Sequence, residues 1–192
     1  MRGPVEARRT ERLVLRGWCD DDRDAFAAMN ADPEVMRYFH DTLTREQSDA
    51  MVDRMRAVLE SQGWGLWAIE RQDTGELIGF TGLAVPSYDL PFNPCVEVGW
   101  RLARSSWGRG FATEAAREAL RVGVDELGLS EVVSLTSVPN TRSRAVMERI
   151  GMTRDPGGDF EHPAVPLGHP LRLHVLYRIR AEAVRQRAAV RR

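Results

Sequence analysis

Trp100-Arg-Leu-Ala-Arg-Ser-Ser-Trp-Gly-Arg-Gly-Phe-Ala-Thr-Glu-Ala115 carries a strand into a helix through Gly108-Arg109-Gly110. On its strand side Val96, Val98, Trp100 and Leu102 alternate with Glu97, Gly99 and Arg101 at period two. On its helix side Ala112, Ala116, Ala119, Leu120, Gly123 and Leu127 make one stripe, opposite Glu114, Arg117, Glu118, Arg121 and Asp125. Two glycines at such a junction let backbone N–H groups turn inward with no Cβ in the way, and the helix N-terminus adds the positive end of its dipole. Arg101, Arg104 and Arg109 stand here with no acid between Trp100 and Thr113, so the local charge is positive. A diphosphate fits that description. The glycines alone read equally well as a tight turn flanked by solvated arginines. A dinucleotide fingerprint fits poorly, because its third glycine or alanine position holds Thr113 and the motif lies mid-chain.

Ahead of this stretch, Arg9 to Gly17 reads as a first strand on Leu13 and Leu15, and Asp20 to Asp22 offer N-caps to a helix through Phe26 and Met29. Asp32-Pro33 starts another helical turn. Thr44-x-x-Gln47 has the form of a capping box, with Met51, Met55, Val58 and Leu59 at helical spacing until Gly63. Trp67-Ala68-Ile69 and Leu77 to Val85 flank Asp73-Thr74-Gly75 as a hairpin, and Ser87 to Pro94 is a loop. Behind the stretch, Glu131 to Val138 reads as a strand, Asn140 caps a short helix ending at Gly151, and Leu171 to Ile179 is a last strand. The arginine-rich end, Arg178 to Arg192, reads as a helix with a solvated face or a frayed tail. This order predicts one domain over 1–192, with a core at about 10–180 and a charged tail at 181–192. The fold expected is mixed α+β, with helices on both faces of a mostly antiparallel sheet.

Composition narrows the chemistry. The 192 residues, 43% hydrophobic, suffice for one sizeable core, and a formal net charge of −1 supplies no broad positive field for nucleic acid. All 27 basic residues are arginine, which excludes both the lysine of a Walker loop and the Schiff-base lysine of pyridoxal enzymes. Cys19 and Cys95 form no CxxC pair or regular disulfide spacing, and no window approaches about 18 consecutive apolar residues. A cytoplasmic protein that binds neither membrane nor nucleic acid is expected, and a homodimer is compatible with all of this. His162, His169 and His174 cluster among prolines near the C-terminus. Their spacing matches no zinc pattern, so no metal is expected; they read as loop residues, structural or beside an acceptor cleft.

Three segments together carry a resemblance. Glu97-Val-Gly-Trp100, Trp107-Gly-Arg-Gly-Phe-Ala-Thr-Glu-Ala115 and Asn140-Thr-Arg-Ser143 followed by Met147-Glu-Arg-Ile-Gly-Met152 resemble the GNAT superfamily of acyl-CoA N-acyltransferases, in its RimJ/RimL-like branch. The order of elements from about Thr10 to Arg180 matches as well. The resemblance implies acetyl-CoA as co-substrate and an amine as acceptor, either a small molecule or a protein N-terminus. It implies a sheet splayed at its central strands, with Val98 and Trp100 beside pantetheine. Arg104, Ser105, Ser106, Trp107, Gly108, Arg109, Gly110, Phe111 and Ala112 would wrap the diphosphate, and Asn140 and Ser143 would face the cofactor.

The residues agree with that outline and qualify it. Gly99 inside a strand is a natural splay point, where a freed N–H such as that of Val98 could polarise a thioester carbonyl. Asn140 reads equally as a helix N-cap. Ser105 stands where the family has Gln or Arg, which removes a side-chain contact and keeps the backbone cradle. Met147 stands where many members have Tyr, and a thioether cannot protonate a departing thiolate. Attack on a thioester needs a neutral amine, so a group must accept a proton. Glu97 is the candidate base, or else a strand carboxylate paired with Arg101 or another arginine; Ser143 is a candidate proton relay. A non-catalytic acyl-CoA-binding regulator is the alternative from another functional class.

Overall fold

The computed structural model describes residues 5–189, so the end of the expected charged tail, 190–192, lies outside the described residues. Among these, the chain forms eight strands and five α-helices, the mixed and mostly antiparallel architecture that the sequence predicts. Contacts group them into two compact units. One is built from the chain up to Gly82 with Trp100–Ala115, the other from Leu83–Gly99 with the chain from Ala116 onward.

In the first unit β1 (Arg8–Arg9) and β2 (Leu13–Arg16) precede α1 (Asp22–Ala31) and α2 (Arg45–Gln62), followed by the hairpin of β3 (Leu66–Arg71) and β4 (Leu77–Ala84). Successive strands pair antiparallel, Arg9 opposite Val14, Leu15 opposite Ile69 and Ala68 opposite Phe80. The single strand expected over 9–17 is therefore two. The Thr10 N–H donates to the Leu13 carbonyl at 2.9 Å and reverses the chain at three polar residues. The capping box of α2 forms as expected, Gln47 N–H on Thr44 Oγ1 and Thr44 N–H on Gln47 Oε1. Asp32-Pro33 starts a single helical turn, as expected: the Met36 N–H donates to the Asp32 carbonyl, and the Asp32 carboxylate caps the turn by accepting the Glu34 N–H. No aspartate side chain caps α1 at Asp21. Asp22 instead is buried, accepting the Cys19 N–H and two bonds of 2.8 Å from Arg16. Leu13, Leu15, Phe26, Trp67 and Ile69 fill this unit's core, and Trp18 meets Phe26 edge-on at 4.8 Å.

This unit also holds the end of β5 (Glu97–Leu102) and the start of α3 (Phe111–Arg121). Glu114, in the first turn of α3, accepts Thr10 Oγ1–H at 2.6 Å and the Arg12 N–H and Nε–H at 2.8 Å each. Arg12 Nη1 also donates to the Arg109 carbonyl at 3.0 Å. The β1–β2 turn is thereby tied to the loop that opens α3.

In the second unit α3 runs on as one wider turn over Val122–Glu126, then come β6 (Glu131–Ser137), α4 (Thr141–Ile150), β7 (Thr153–Glu161), β8 (Leu173–Arg180) and α5 (Ala181–Ala189). Strands pair in the order β5, β6, β8, β7, parallel for β5 with β6 and antiparallel otherwise. β7 has no counterpart in the sequence reading, because Pro156-Gly157-Gly158 looks like a turn. The ladder with β8 shifts register between Asp155 and Phe160, so 156–159 bulge out and the strand resumes. Pairing with β8 overrides the local preference. Of the arginine-rich end expected to be helical over 178–192, residues 181–189 are helical as α5, whereas 178–180 complete β8, and 190–192 lie outside the described residues. Ala119, Leu120, Val132, Met147, Ile150, Leu176 and Tyr177 form this unit's core.

Met147 is 1% exposed, so the position that family members give to a tyrosine is packing here. Met147→Tyr forces a larger, rigid ring into a filled site and should cost about 1–3 kcal/mol. Urea unfolding should show a lower midpoint with an unchanged slope; equal midpoints would place the side chain in open space.

Candidate functional site

The loop that opens α3 has the backbone of an anion site. Arg104–Ser106 make one 3₁₀ turn, and Trp107 Nε1 donates to the Leu102 carbonyl at 2.8 Å, which fixes the turn to the end of β5. Gly108 and Gly110 have φ of 73° and 82°, a left-handed conformation that a side chain resists. Both glycines, Arg104, Ser105 and Arg109 are exposed, Trp107 and Ala112 are half-buried, and Ser106 and Phe111 are buried. Phe111 anchors the arrangement. The guanidinium carbons of Arg12, Arg109 and Arg71 stand 4.7, 5.1 and 5.7 Å from its ring centroid. Glu114 is the acid nearest in sequence, and Arg12 neutralises it. Its burial favours the neutral form, but the bonds from Thr10 and Arg12 outweigh that and hold the carboxyl below its ordinary value. Among the described residues neither Arg104 nor Arg109 forms an ion pair, so the mouth of the loop stays cationic.

A cavity of about 760 Å³ shares Ser105, Ser106 and Arg109 with this loop. Its other walls include Arg16, Arg71, Asp22 and Glu70. Cations and carboxylates alternate there, and no net field selects an anion. At the exposed glycines, the first N–H groups of α3 have no partner within the helix and carry the positive end of its dipole.

In the second unit the ladder between β5 and β6 is confined to one pair, Glu97 opposite Val133. The Val133 N–H donates to the Val96 carbonyl at 2.9 Å. A parallel ladder of this phase points the Val98 N–H at the Val133 carbonyl, so that N–H is engaged in the sheet rather than freed as the sequence reading supposed. Past this pair, Ser134 Oγ donates to the Val98 carbonyl at 2.9 Å, a side chain where a ladder bond would otherwise be. A Cβ on Gly99 would meet nothing within 4 Å. The expected splay therefore lies between β5 and β6.

Glu97 is half-buried at that opening, and burial pushes its carboxyl up to about 7. Among the described residues it has no hydrogen-bond or ionic partner. The pairing with Arg101 that the sequence allowed is not made; Arg101 Nη1 donates to Asn30 Oδ1 at 2.7 Å, within the first unit. Asn140 caps α4 through Oδ1 to the Ser143 N–H, and its Nδ2 donates to Thr136 Oγ1 at 2.9 Å. Both ends of that amide serve the fold. Ser143 is half-buried on the first turn of α4, Val98 presents only backbone because its side chain is core, and Trp100 is half-buried in the first unit.

The structure separates the three histidines by role. His162 and His174 stack with ring centroids 4.8 Å apart, beside Phe160 and, through His162, Tyr88. Burial pushes His174 down to about 4 and, with Arg172, lowers His162, so this aromatic cluster is neutral at physiological pH. His169 instead accepts the Leu171 N–H within its own turn. Among the described residues no group of three potential ligands could hold a metal ion, and no helix is long and apolar enough to cross a membrane. Sequence reasoning missed Ser134 and Thr136. Their signal was visible, two hydroxyl residues at alternate positions of the otherwise apolar Glu131-Val-Val-Ser-Leu-Thr-Ser137.

Comparison with known proteins bears on this geometry. Residues 12–153 match the acetyltransferase (GNAT) domain family. YkkB of Bacillus subtilis is 34% identical over 146 residues, covering 74% of this chain and 83% of that protein. The FsC-acetyl coenzyme A-N(2)-transacetylase of Aspergillus fumigatus is 34% identical over 151 residues, 75% of this chain and 63% of that protein. Among solved structures, an acetyltransferase from Agrobacterium tumefaciens superposes with a TM-score of 0.72 at 30% identity, covering 93% of this chain and 96% of its own. A GNAT-family acetyltransferase from Bacillus anthracis gives 0.74 at 26%, covering 92% and 99%. With a glycine loop at a helix N-terminus, a strand pair that parts after one rung and a family match across most of its length, this chain belongs to the GNAT acetyltransferases.

Proposed function

We propose that the chain moves the acetyl group of acetyl-CoA by direct attack to a primary amine, with Glu97 as the base. The observation that carries this is the Glu97 carboxyl, desolvated to about 7 with no counter-charge, at the point where β5 leaves β6. A carboxylate with that affinity takes a proton from an ammonium far more readily than an exposed one. The amine nitrogen, deprotonated to Glu97, forms a C–N bond to the thioester carbonyl carbon; the C–S bond then breaks and the thiolate takes a proton. Ser143 relays that proton or water supplies it, Met147 being core.

In this reading the diphosphate takes the backbone of Ser105, Ser106, Trp107, Gly108, Gly110, Phe111 and Ala112, with Arg104 and Arg109 as counter-charges. Val98 and Trp100 line pantetheine, and Asn140 shapes the wall by holding α4. The acceptor is a small-molecule amine or a protein N-terminus; the Aspergillus relative, named for transfer to an N(2) nitrogen, supports an amine. The chain works as one N-acetyltransferase domain in the cytoplasm.

Gly108 supplies the first test, since a Cβ there meets nothing within 4 Å and suffers only the strain of its left-handed φ. Gly108→Ala should cost the fold about 1–2 kcal/mol while lowering acetyl-CoA affinity by a larger factor in calorimetry, because the methyl occupies the ligand's place. A fall in affinity no larger than the strain predicts removes the loop from the cofactor site.

Glu97→Gln tests the chemistry. Turnover should fall by about 10²–10⁴-fold with acetyl-CoA affinity unchanged, and wild-type kcat should fall as pH drops below about 7, where Glu97 gains its proton. Linkage adds a second signature. A carboxyl whose folded pKa is raised contributes stability at low pH and loses it as pH rises from about 4.5 to about 7. That slope should be absent in Glu97→Gln melts. Acetyl-CoA binding without turnover on any amine would leave the regulator reading instead.

A further inference from the structure

Arg101 is treated unlike Arg16 and Arg23, partly buried arginines of the same unit. Arg16 has Asp22 and Glu70, and Arg23 has Asp20 and Asp53. Arg101 has no carboxylate among the described residues. One guanidinium nitrogen, Nη1, donates to Asn30 Oδ1 at 2.7 Å, and Asn30, fully buried, is itself held by Nδ2 on Ser48 Oγ at 2.9 Å. The guanidinium carbon lies 4.1 Å from the Phe39 ring centroid and 5.4 Å from that of Phe80. Nε is buried and meets no acceptor. Burial lowers the group to about 10, yet it stays charged at neutral pH.

A desolvated cation without an anion is costly, and replacing it with an apolar residue of similar size is commonly stabilising. A structural role accounts for Nη1, which satisfies the buried Asn30 Oδ1, but not for the charge or for Nε, which has no acceptor. We propose that Arg101 reads an anionic group on the acceptor, so that the substrate is an amine bearing a carboxylate. Two rings lie against the guanidinium and Nη1 is pledged to Asn30, which leaves Nε and Nη2 as donors; the planar fork they make matches two carboxylate oxygens. The phosphates of acetyl-CoA have the loop at Arg104–Ala112, so the unpaired cation falls to the other substrate. Phe39, the ring against the guanidinium, is itself 43% exposed in the connection between α1 and α2. This assignment rests on the acetyl-transfer reading above and narrows its acceptor.

The experiment offers purified protein acetyl-CoA with matched acceptors, amino acids beside their own amides, and phosphoethanolamine beside ethanolamine, while free thiol is followed. Wild-type kcat/KM should favour the carboxylate members by about 10- to 100-fold. Arg101→Met should erase that preference, and Arg101→Lys should keep part of it, as a point charge without the fork. Independently of turnover, succinate compared with chloride at equal ionic strength should raise the melting temperature of the wild type and leave that of Arg101→Met unmoved. Equal succinate shifts in the two proteins, a preference that survives Arg101→Met, or a preference confined to the phosphate pair each overturns the assignment. Failure of the unmodified protein to bind acetyl-CoA sinks the acetyl-transfer reading instead, and the succinate comparison still decides whether Arg101 holds a carboxylate.

Discussion

The parallel ladder between β5 and β6 ends after the Glu97–Val133 pair, and the properties of the second unit's opening follow from that end. A continuing ladder would draw the next residues of β5 into the sheet. With it stopped, the Val98 carbonyl is satisfied by the Ser134 hydroxyl, and Gly99 faces open space. Glu97 sits on the last rung, where core residues remove water from one side and no cation replaces it. Desolvation alone therefore sets its proton affinity, and an arginine brought alongside would reverse the shift.

The loop at α3 shows the opposite use of charge. Glu114 is given every partner a carboxylate could want, from Thr10 and Arg12, and its charge is spent inside the fold. That leaves Arg104 and Arg109 without an ion pair among the described residues. An all-arginine chain suits this arrangement because guanidinium groups stack on a ring and donate to a carbonyl at once, as Arg12 does with Phe111 and Arg109. Lysine at position 12 could not do both. The pairing of Arg12 with Glu114 and the lack of it at Arg104 and Arg109 are two halves of one electrostatic design.

How much of this was legible depended on range along the chain. The α2 capping box, the hairpin about Asp73-Thr74-Gly75 and the glycine junction at Gly108 and Gly110 were read correctly because a few consecutive residues settle each of them. Asp22, one of three aspartates offered as caps, is instead the buried partner of Arg16, six residues away across a turn. The strand β7 escaped notice because Pro156 and two glycines outvote their neighbours locally, while the β8 edge that recruits them lies beyond a loop. Asn140 was legible as a cap, and its second bond, to Thr136, was not.

By itself the sequence determined the elements with local signatures, the cationic glycine loop and the family resemblance, since backbone conformation, helix capping and period-two alternation act over a few residues. Only the tertiary structure decided which charges go unpaired. Glu97 and Arg101 differ by four positions, and nothing in their spacing says that one is left without a cation or that the other turns to Asn30, 71 residues away. The same holds for Met147, whose helix position allows either a site or a core and whose burial comes from packing partners brought in by folding. Desolvation and pairing are properties of neighbours in space, and for these residues the neighbours come from distant parts of the chain.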